Sequence, residues 1–241
     1  MTRFYKQLGT IKALSFDLDD TLYANAPVIA AAEVAMLTSL QRHKPQLTQN
    51  DIAYWQLQRQ LVAVQNPQLR HDVSQWRLVA VEQGLQAQGV SHCEAQELAE
   101  LAVSAFLEAR TTIQVTRSTV QLLEQLASRF PLVAITNGNA DIQKMGLAHC
   151  FQFALRAGPD GRMKPYPDLF ATAARRLQLS TQHILHIGDH VRSDVLGALN
   201  AGCMAAWLNP AVSTEPRRQA PPLVLPHLEL TSLDALLLLG A

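Results

Sequence analysis

From residue 118 onward, short apolar runs alternate with helical stretches, and this alternation restricts the fold more than any other feature. The segments 131–136, 153–156, 183–187 and 204–208 read as strands. Between them, 118–129, 141–147, 167–177 and 194–201 read as helices, with Ser118 a candidate cap and Pro167 at a favoured first position. A last strand is expected at 223–225 and a last helix at 232–239, after a proline-rich loop that runs to Pro222. Strands this apolar are buried on both faces, so the pattern predicts an α/β fold: a Rossmann-like parallel sheet with helices on both sides.

One further strand, 11–18, stands apart from the rest. Between it and residue 110 no convincing strand occurs. The runs 28–41, 51–64, 73–87 and 94–109 read as helices, rich in Ala, Gln, Leu and Glu, with Pro45, Asn66-Pro67 and Gly89 between them. A helical block that interrupts the alternation after its first strand is best read as an inserted α-helical domain. The expected division is 1–24 with 111–241 for the α/β core and 25–110 for the insert.

With 241 residues, 48% of them hydrophobic, the chain can bury a large core. Twenty basic residues balance twenty acidic ones, which gives no support for a nucleic-acid or anionic-membrane partner. Arg175-Arg176 and Arg217-Arg218 are too short to change that reading. No run approaches a membrane span, and the N-terminus lacks a signal-peptide pattern, so a cytoplasmic protein is expected. Cys93, Cys150 and Cys203 are odd in number and widely spaced, which points to buried free thiols.

In open α/β sheets, ligands meet the chain where strands deliver their C-terminal ends. Four polar clusters fall there. The first is Asp17-x-Asp19-x-Thr21. Residues two apart in extended chain face one side, so Asp17 and Asp19 can share a small volume. Carboxylates that close need a cation, and hard oxygen ligands with an incomplete protein shell suit Mg²⁺. The second is Thr136-Asn137-Gly138, whose hydroxyl and turn amides can hold an anion. The third is Lys164, in the extended segment before Pro165, which can offset acidic neighbours and bind phosphate. The fourth is Asp189, after strand-ending Gly188, with Asp194 five residues on. Each has a bland alternative: a solvated acidic turn, an ordinary Asn-Gly turn, a surface lysine, and helix capping by Ser193 and Asp194. Because Mg²⁺ prefers oxygen, His190 is read either as a neighbour that supports the ligands or as a bystander. All four clusters in this order, each closing its own strand, share no bland alternative.

The set FDLDDTL, ITNGN, KPYPDLF and GDHVRSD resembles the four motifs of the haloacid dehalogenase-like (HAD) superfamily, and the resemblance spans essentially the whole chain. It implies an enzyme with an inserted helical cap, active on small-molecule phosphate esters with Mg²⁺ as cofactor. It implies that Asp17 is the nucleophile, forming an aspartyl-phosphate and contributing its carboxylate to the metal. Asp19 would serve as general acid and base, with its backbone carbonyl on the metal. Thr136, Asn137 and Lys164 would bind phosphate, Asp189 would ligate Mg²⁺, and Asp194 would assist in holding it directly or through water. The family often has Asn or a second Asp where this chain has His190 and Ser193, although the Asp189-to-Asp194 spacing is retained.

RFYKQLGTIKALSFDLDDTLYANAPVI, HDVSQWR, LVAITNGNA and LRAGPDGRMKP carry a narrower resemblance within that superfamily. It is to phosphatases associated with flavin mononucleotide and with 5-amino-6-(5-phospho-D-ribitylamino)uracil in riboflavin synthesis. The second acid, Asp19, favours phosphate-ester hydrolysis, because dehalogenases of the superfamily characteristically lack it. Three alternatives stand beside it: a sugar-phosphate phosphatase or phosphomutase, a phosphonate hydrolase requiring a cap lysine (only Lys44 is available), and a non-catalytic ligand-binding module. Cap residues that could meet substrate are Tyr54, Trp55, Arg59, His71, Asp72 and Trp76, against the alternative that the aromatics are packed core.

Overall fold

The computed structural model describes residues 2–209 and 224–239. The chain divides into two compact units. One comprises the described residues of Met1–Tyr23, Gln114–Gly138 and Ile142–Ala241. The other is Ala24–Ile113 with Asn139–Asp141.

The first unit is built on a seven-stranded sheet. Its strands are β1 (Thr2–Phe4), β2 (Ala13–Phe16), β3 (Leu132–Thr136), β4 (Phe153–Arg156), β5 (Ile184–Gly188), β6 (Met204–Leu208) and β7 (Leu228–Leu230). Their spatial order is β1-β7-β6-β5-β2-β3-β4, and every pairing is parallel except β1 with β7. Strands β2, β3, β5 and β6 are buried at every position, which explains their largely apolar sequences. The chain leaves β2 for β3 on one side and later returns to β5 on the other. The C-terminal ends of these three strands therefore border a topological switch point, where side chains from separate crossovers can converge.

Helices α5 (Arg117–Ala127), α6 (Asp168–Leu177) and α7 (Gly197–Asn200) belong to this unit. Leu169, Phe170, Ala173 and Ala174 of α6 pack with Val133 and Ile135 of β3 and Leu155 of β4 in one apolar cluster. Thr116 caps α5, accepting from the Thr119 N–H.

The second unit is helical: α1 (Asn25–His43), α2 (Ile52–Gln65), α3 (Val73–Ala87) and α4 (His92–Arg110). Met36 and Leu40 of α1 join Trp55, Val81, Leu85, Leu98 and Phe106 in its core. Alanines 95, 99 and 102 of α4 are fully buried there, so bulk does not hold the helices apart. Asp51 caps α2 and Asp72 caps α3, each accepting backbone N–H bonds from the first turn. At Gly84 an added Cβ would lie 2.5 Å from the Trp55 ring, so the tryptophan occupies space that only glycine leaves open.

Several elements differ from expectation. Residues 141–147 form turns closed by Gly146 at φ +71°, not a helix. The run is too short to offset helix nucleation and carries glycine near its end. Edge strand β1 has no apolar pattern and was not expected. The expected strand at 223–225 starts at Leu223, which lies outside the described residues, as does the proline-rich loop to Pro222. Strand β7 forms instead after Pro226, which has no N–H to give a ladder. The segment expected as a helix from 194 begins at Val191 as a π-helical turn, Val191–Leu196, and only then continues as α7. Cys150 and Cys203 are buried free thiols, but Cys93 is exposed. Among the described residues no helix is long and apolar enough to cross a membrane.

Candidate active site

Asp17 lies one residue beyond β2, its N–H bonded to Ile187 O at 2.9 Å, so the strand ladder fixes its backbone. Its side chain is buried and meets Lys164, whose ammonium lies 2.7 Å from Asp17 Oδ1. Lys164 also donates to Ile135 O at 2.7 Å and pairs with Asp194 Oδ1 at 2.7 Å. It is 2% exposed, and is therefore a core cation, not a surface lysine. A cis peptide bond joins it to Pro165. The Asn137 side chain clamps its backbone at both ends: Nδ2 donates to Lys164 O at 2.9 Å, and Oδ1 accepts from Lys164 N at 2.7 Å.

Asp194 accepts the His190 N–H at 2.9 Å and is 2% exposed. Capping of the π-helical turn falls to His190, whose Nδ1 accepts from Arg192 and Ser193. This frees Asp194 to point inward. Gly188 makes room for it, since a Cβ there would lie 2.3–2.6 Å from Asp194 side-chain atoms. Asp189 is half-buried, and its carbonyl accepts from the Trp207 indole at 2.8 Å. Thr21 sits between Asp189 and Asp17, with its hydroxyl 3.5 Å from a carboxylate oxygen of each.

Asp17, Asp189 and Asp194 each offer a carboxylate oxygen, and the three lie within 4.8 Å of one another. This hard, all-oxygen donor set, buried against one lysine, fits a small divalent cation. The electrostatics agree. Burial, opposed by Lys164 and reinforced by Asp194, pushes Asp17 up to about 8. Burial, Asp194 and Asp20 push Asp189 up to about 6. Asp194 is held below the usual carboxylate range, because Lys164 and His186 outweigh its burial. Two of these acids, Asp17 and Asp194, thus share one lysine, and the charge of Asp17 and Asp189 is opposed until more positive charge arrives.

Asp19 stands outside this trio. Asp20 adopts left-handed backbone, φ 57°, and the turn brings the Tyr23 hydroxyl onto Asp19 Oδ1. The other oxygen, Oδ2, lies 2.3 Å from where a Cβ of residue 138 would be, so Gly138 leaves its space to that carboxylate. Thr136 is fully buried and accepts the Gly138 N–H at 2.9 Å, which sets the turn. Its hydroxyl proton remains available to an acceptor.

Sequence reasoning missed a buried chain beneath the site. Burial, with Lys164 nearby, lowers the pKa of His186, in β5, against the pull of Asp194. Its Nε2 meets Asp194 Oδ1 at 3.3 Å and its Nδ1 meets Ser15 Oγ at 2.9 Å. A signal was present, because Ser15 and His186 are polar residues inside strands that otherwise read as apolar. They are also register partners across β2 and β5.

Three of the expected cap contacts have structural uses. Trp55 is core, Asp72 caps α3, and the Tyr54 hydroxyl donates to Gly84 O at 2.6 Å. Lys44 is paired with Glu94 at 2.6 Å.

Comparison with known proteins agrees with this geometry. The model of the haloacid dehalogenase-like hydrolase family matches residues 11–202. The chain is 43% identical over 238 residues to the 5-amino-6-(5-phospho-D-ribitylamino)uracil phosphatase YigB of Escherichia coli (strain K12), covering 97% of this chain and 98% of that protein. A solved structure described as 2-haloacid dehalogenase from Pseudomonas syringae pv. Tomato DC3000 superposes with a TM-score of 0.84 at 36% identity. It covers 94% of this chain and 96% of that one. The HAD phosphatase of Thermococcus onnurineus, at 21% identity and a TM-score of 0.65 over 94% of this chain and 96% of its own, shares the fold. A parallel sheet with an acid cluster at its switch point, and a family match across most of the length, place this chain in the haloacid dehalogenase-like hydrolase family.

Proposed function

We propose that this protein is a phosphoric monoester hydrolase that works through an aspartyl-phosphate on Asp17. Its proposed substrates are 5-amino-6-(5-phospho-D-ribitylamino)uracil and flavin mononucleotide. The observation that carries the chemistry is the sharing of buried Lys164 by Asp17 and Asp194, with Asp19 held apart from them. The relationship to YigB supports the substrate choice.

Lys164 grips Oδ1 of Asp17 and so fixes the rotation of the nucleophilic carboxylate. An Asp17 oxygen attacks phosphorus and the ester P–O bond breaks. Asp19 gives its proton to the departing alkoxide, and then takes a proton from the water that cleaves the aspartyl-phosphate. Lys164 and the Thr136 hydroxyl stabilise charge on the phosphoryl oxygens. Asn137 contributes by clamping the Lys164 backbone, because its side-chain amide is engaged there. Asp17, Asp189, Asp194 and the Asp19 carbonyl would hold Mg²⁺, which when bound supplies the positive charge that the phosphoryl group and the acids require. The same reading assigns 25–110 to a cap domain and 1–24 with 111–241 to the catalytic core.

Dehalogenation is the second reading, since a structural relative at 36% identity carries that description. Displacing halide from carbon needs neither a proton donor to the leaving group nor a three-carboxylate site. The placement of Asp19 and the trio both favour phosphate esters. The test is phosphate release, with Mg²⁺, across flavin mononucleotide, the ribitylaminouracil phosphate, sugar phosphates and nucleotides, with halide release from 2-haloacids run in parallel and Asp17→Asn as control. Release from the flavin-pathway compounds supports the full reading. Release only from another class leaves the mechanism and removes the substrate assignment, and halide release without phosphate release removes both.

A further inference from the structure

The helical unit holds a buried arginine, a half-buried one and one acid close to them. Arg77, in α3, is 7% exposed. Its guanidinium carbon lies 3.7 Å from the centroid of the Phe106 ring. Its ion pair is with Glu33 at 4.0 Å, too long for a hydrogen bond, and its hydrogen-bond contact is Met36 Sδ, also at 4.0 Å. Arg59, in α2, stacks 4.4 Å from the centroid of Trp76, and its Nε is buried with no hydrogen-bond partner. Both residues line one recess, together with Glu33, Met36, Trp55 and Gln56.

Guanidinium groups carry five N–H donors each and stay charged near neutrality. Arginines that serve only to hold helices together usually direct those donors to carboxylates or backbone carbonyls. Here the stacking is satisfied, while Arg59 Nε has no partner and Arg77 makes only long contacts. Two cations face one carboxylate at a distance, which leaves one positive charge in excess. Burial and the charge of Arg59 lower Arg77 to about 9, against the pull of Glu33. Burial lowers Arg59 as well. An anion entering the recess would relieve the repulsion and give the two guanidinium groups a closer partner than Glu33.

We propose that this recess is a binding site for a small oxyanion, a carboxylate, sulfate or phosphate group, anchored by Arg77 and Arg59 with the Gln56 amide at its edge. The oxyanion is either free in solution or part of a larger metabolite.

The three tryptophans make the test direct. Trp55 lines the recess, and the Trp76 indole N–H donates to Arg59 O at 2.7 Å. Trp207 reports instead on Asp189, in the other unit. Indole ¹⁵N–¹H resonances, assigned with single Trp→Phe variants, are followed as sodium sulfate is added, with sodium chloride at matched ionic strength as control. Saturable movement of Trp55 and Trp76 is expected, both in the wild type and in Asp17→Asn. Apparent affinity should fall at least tenfold in Arg77→Met and in Arg59→Met. Arg59→Met gives the readout should Arg77→Met fail to fold. Movement confined to Trp207, or no saturable movement in the wild type, overturns the site without any variant being needed. The titration requires no turnover, so its failure is separate from failure of the phosphatase reading. Kinetics separate the two sources. For a free anion, sulfate changes turnover of para-nitrophenyl phosphate in the wild type by an effect that Arg59→Met removes. For an anionic group on a larger substrate, Arg77→Met raises KM for that substrate more than for para-nitrophenyl phosphate.

Discussion

Replacing Lys164 and replacing its partner Asp17 should move stability in opposite directions, although the two form one ion pair. The Lys164 ammonium lies 2.7 Å from Asp17 and 2.7 Å from Asp194, in the core. At an effective permittivity of about 20, each contact is an attraction of about 6 kcal/mol. Carboxylate oxygens of the two acids repel across no more than 4.8 Å, by at least about 3.5 kcal/mol on the same scale. Lys164→Met removes both attractions and leaves two dehydrated acids facing each other. Proton uptake relieves part of the strain, so the expected loss is that of breaking a buried pair, about 3–5 kcal/mol. Asp17→Asn keeps the shape and the Lys164–Asp194 contact. It loses one attraction, but also the repulsion and the several kcal/mol that bury a carboxylate. The balance favours the variant, because the fold already pushes Asp17 up to about 8. The sign follows from that direction. An acid raised in the folded state contributes stability that is fully present below its unfolded pKa near 4 and is lost as pH rises toward 8. Metal-free wild type should lose this contribution over that window, and Asp17→Asn should not. Scanning calorimetry at pH 8 with a chelator tests the pair. Asp17→Asn should equal the wild type or exceed it by about 1–2 kcal/mol, while Lys164→Met should melt roughly 6–20 °C lower at about 2–4 °C per kcal/mol. An Asp17→Asn melt as low as that of Lys164→Met would refute the charge balance, and an unchanged Lys164→Met would show that the ammonium is not the counter-charge.

Further outcomes can be measured on the same protein. Asp19→Asn should lower initial rates by about 10²–10⁴-fold with little change in melting temperature, because Asp19 is only partly buried; a rate within a few-fold of wild type would remove its acid–base role. Gly138→Ala should also slow turnover, since its Cβ would meet Asp19 Oδ2 at 2.3 Å, and wild-type rates would show that Asp19 need not hold that position. Mg²⁺ affinity by calorimetric titration should tighten from pH 6 to 8, as Asp189, near 6, and Asp17, near 8, give up protons to bind it. A flat profile would place the ion on other ligands. His186→Ala should cost about 2–4 kcal/mol in urea denaturation, because it leaves a cavity and takes a partner from both Ser15 and Asp194.

The parts of the fold legible in the sequence were those whose burial leaves no alternative pattern. Strands β2, β3, β5 and β6 have solvent on neither face, so their apolar runs stand out. Strand β1 is a three-residue edge, with Arg3 and Phe4 exposed, and carries no such mark. Three of the four site clusters directly follow a strand end, where polarity begins abruptly, whereas Lys164 comes after the turns that follow β4. What each polar residue does there was harder to read. Asn137 belonged to an anion-binding turn by type, yet its side chain holds the Lys164 backbone across 27 residues of sequence. Pairing of that kind depends on how two loops meet, and no local pattern encodes it.

Asp194 shows the same limit from the other side. By position, in the first turn of a helix after a strand, helix capping and metal ligation explain it equally well. The structure separates them through three neighbours. His190 caps the turn with its own ring nitrogen, so the helix does not need Asp194. The π-helical widening of Val191–Leu196 spans the residue, as such turns often do at functional sites. Gly188 supplies the space that the carboxylate fills. An acid freed from capping, buried to 2% exposure and set against Lys164 would be costly if its only role were structural. A second buried acid on the same lysine increases that cost, since one ammonium cannot neutralise both. The arrangement becomes favourable only when further positive charge joins it, and so the burial of Asp17 and Asp194 together argues for a site built around a cation.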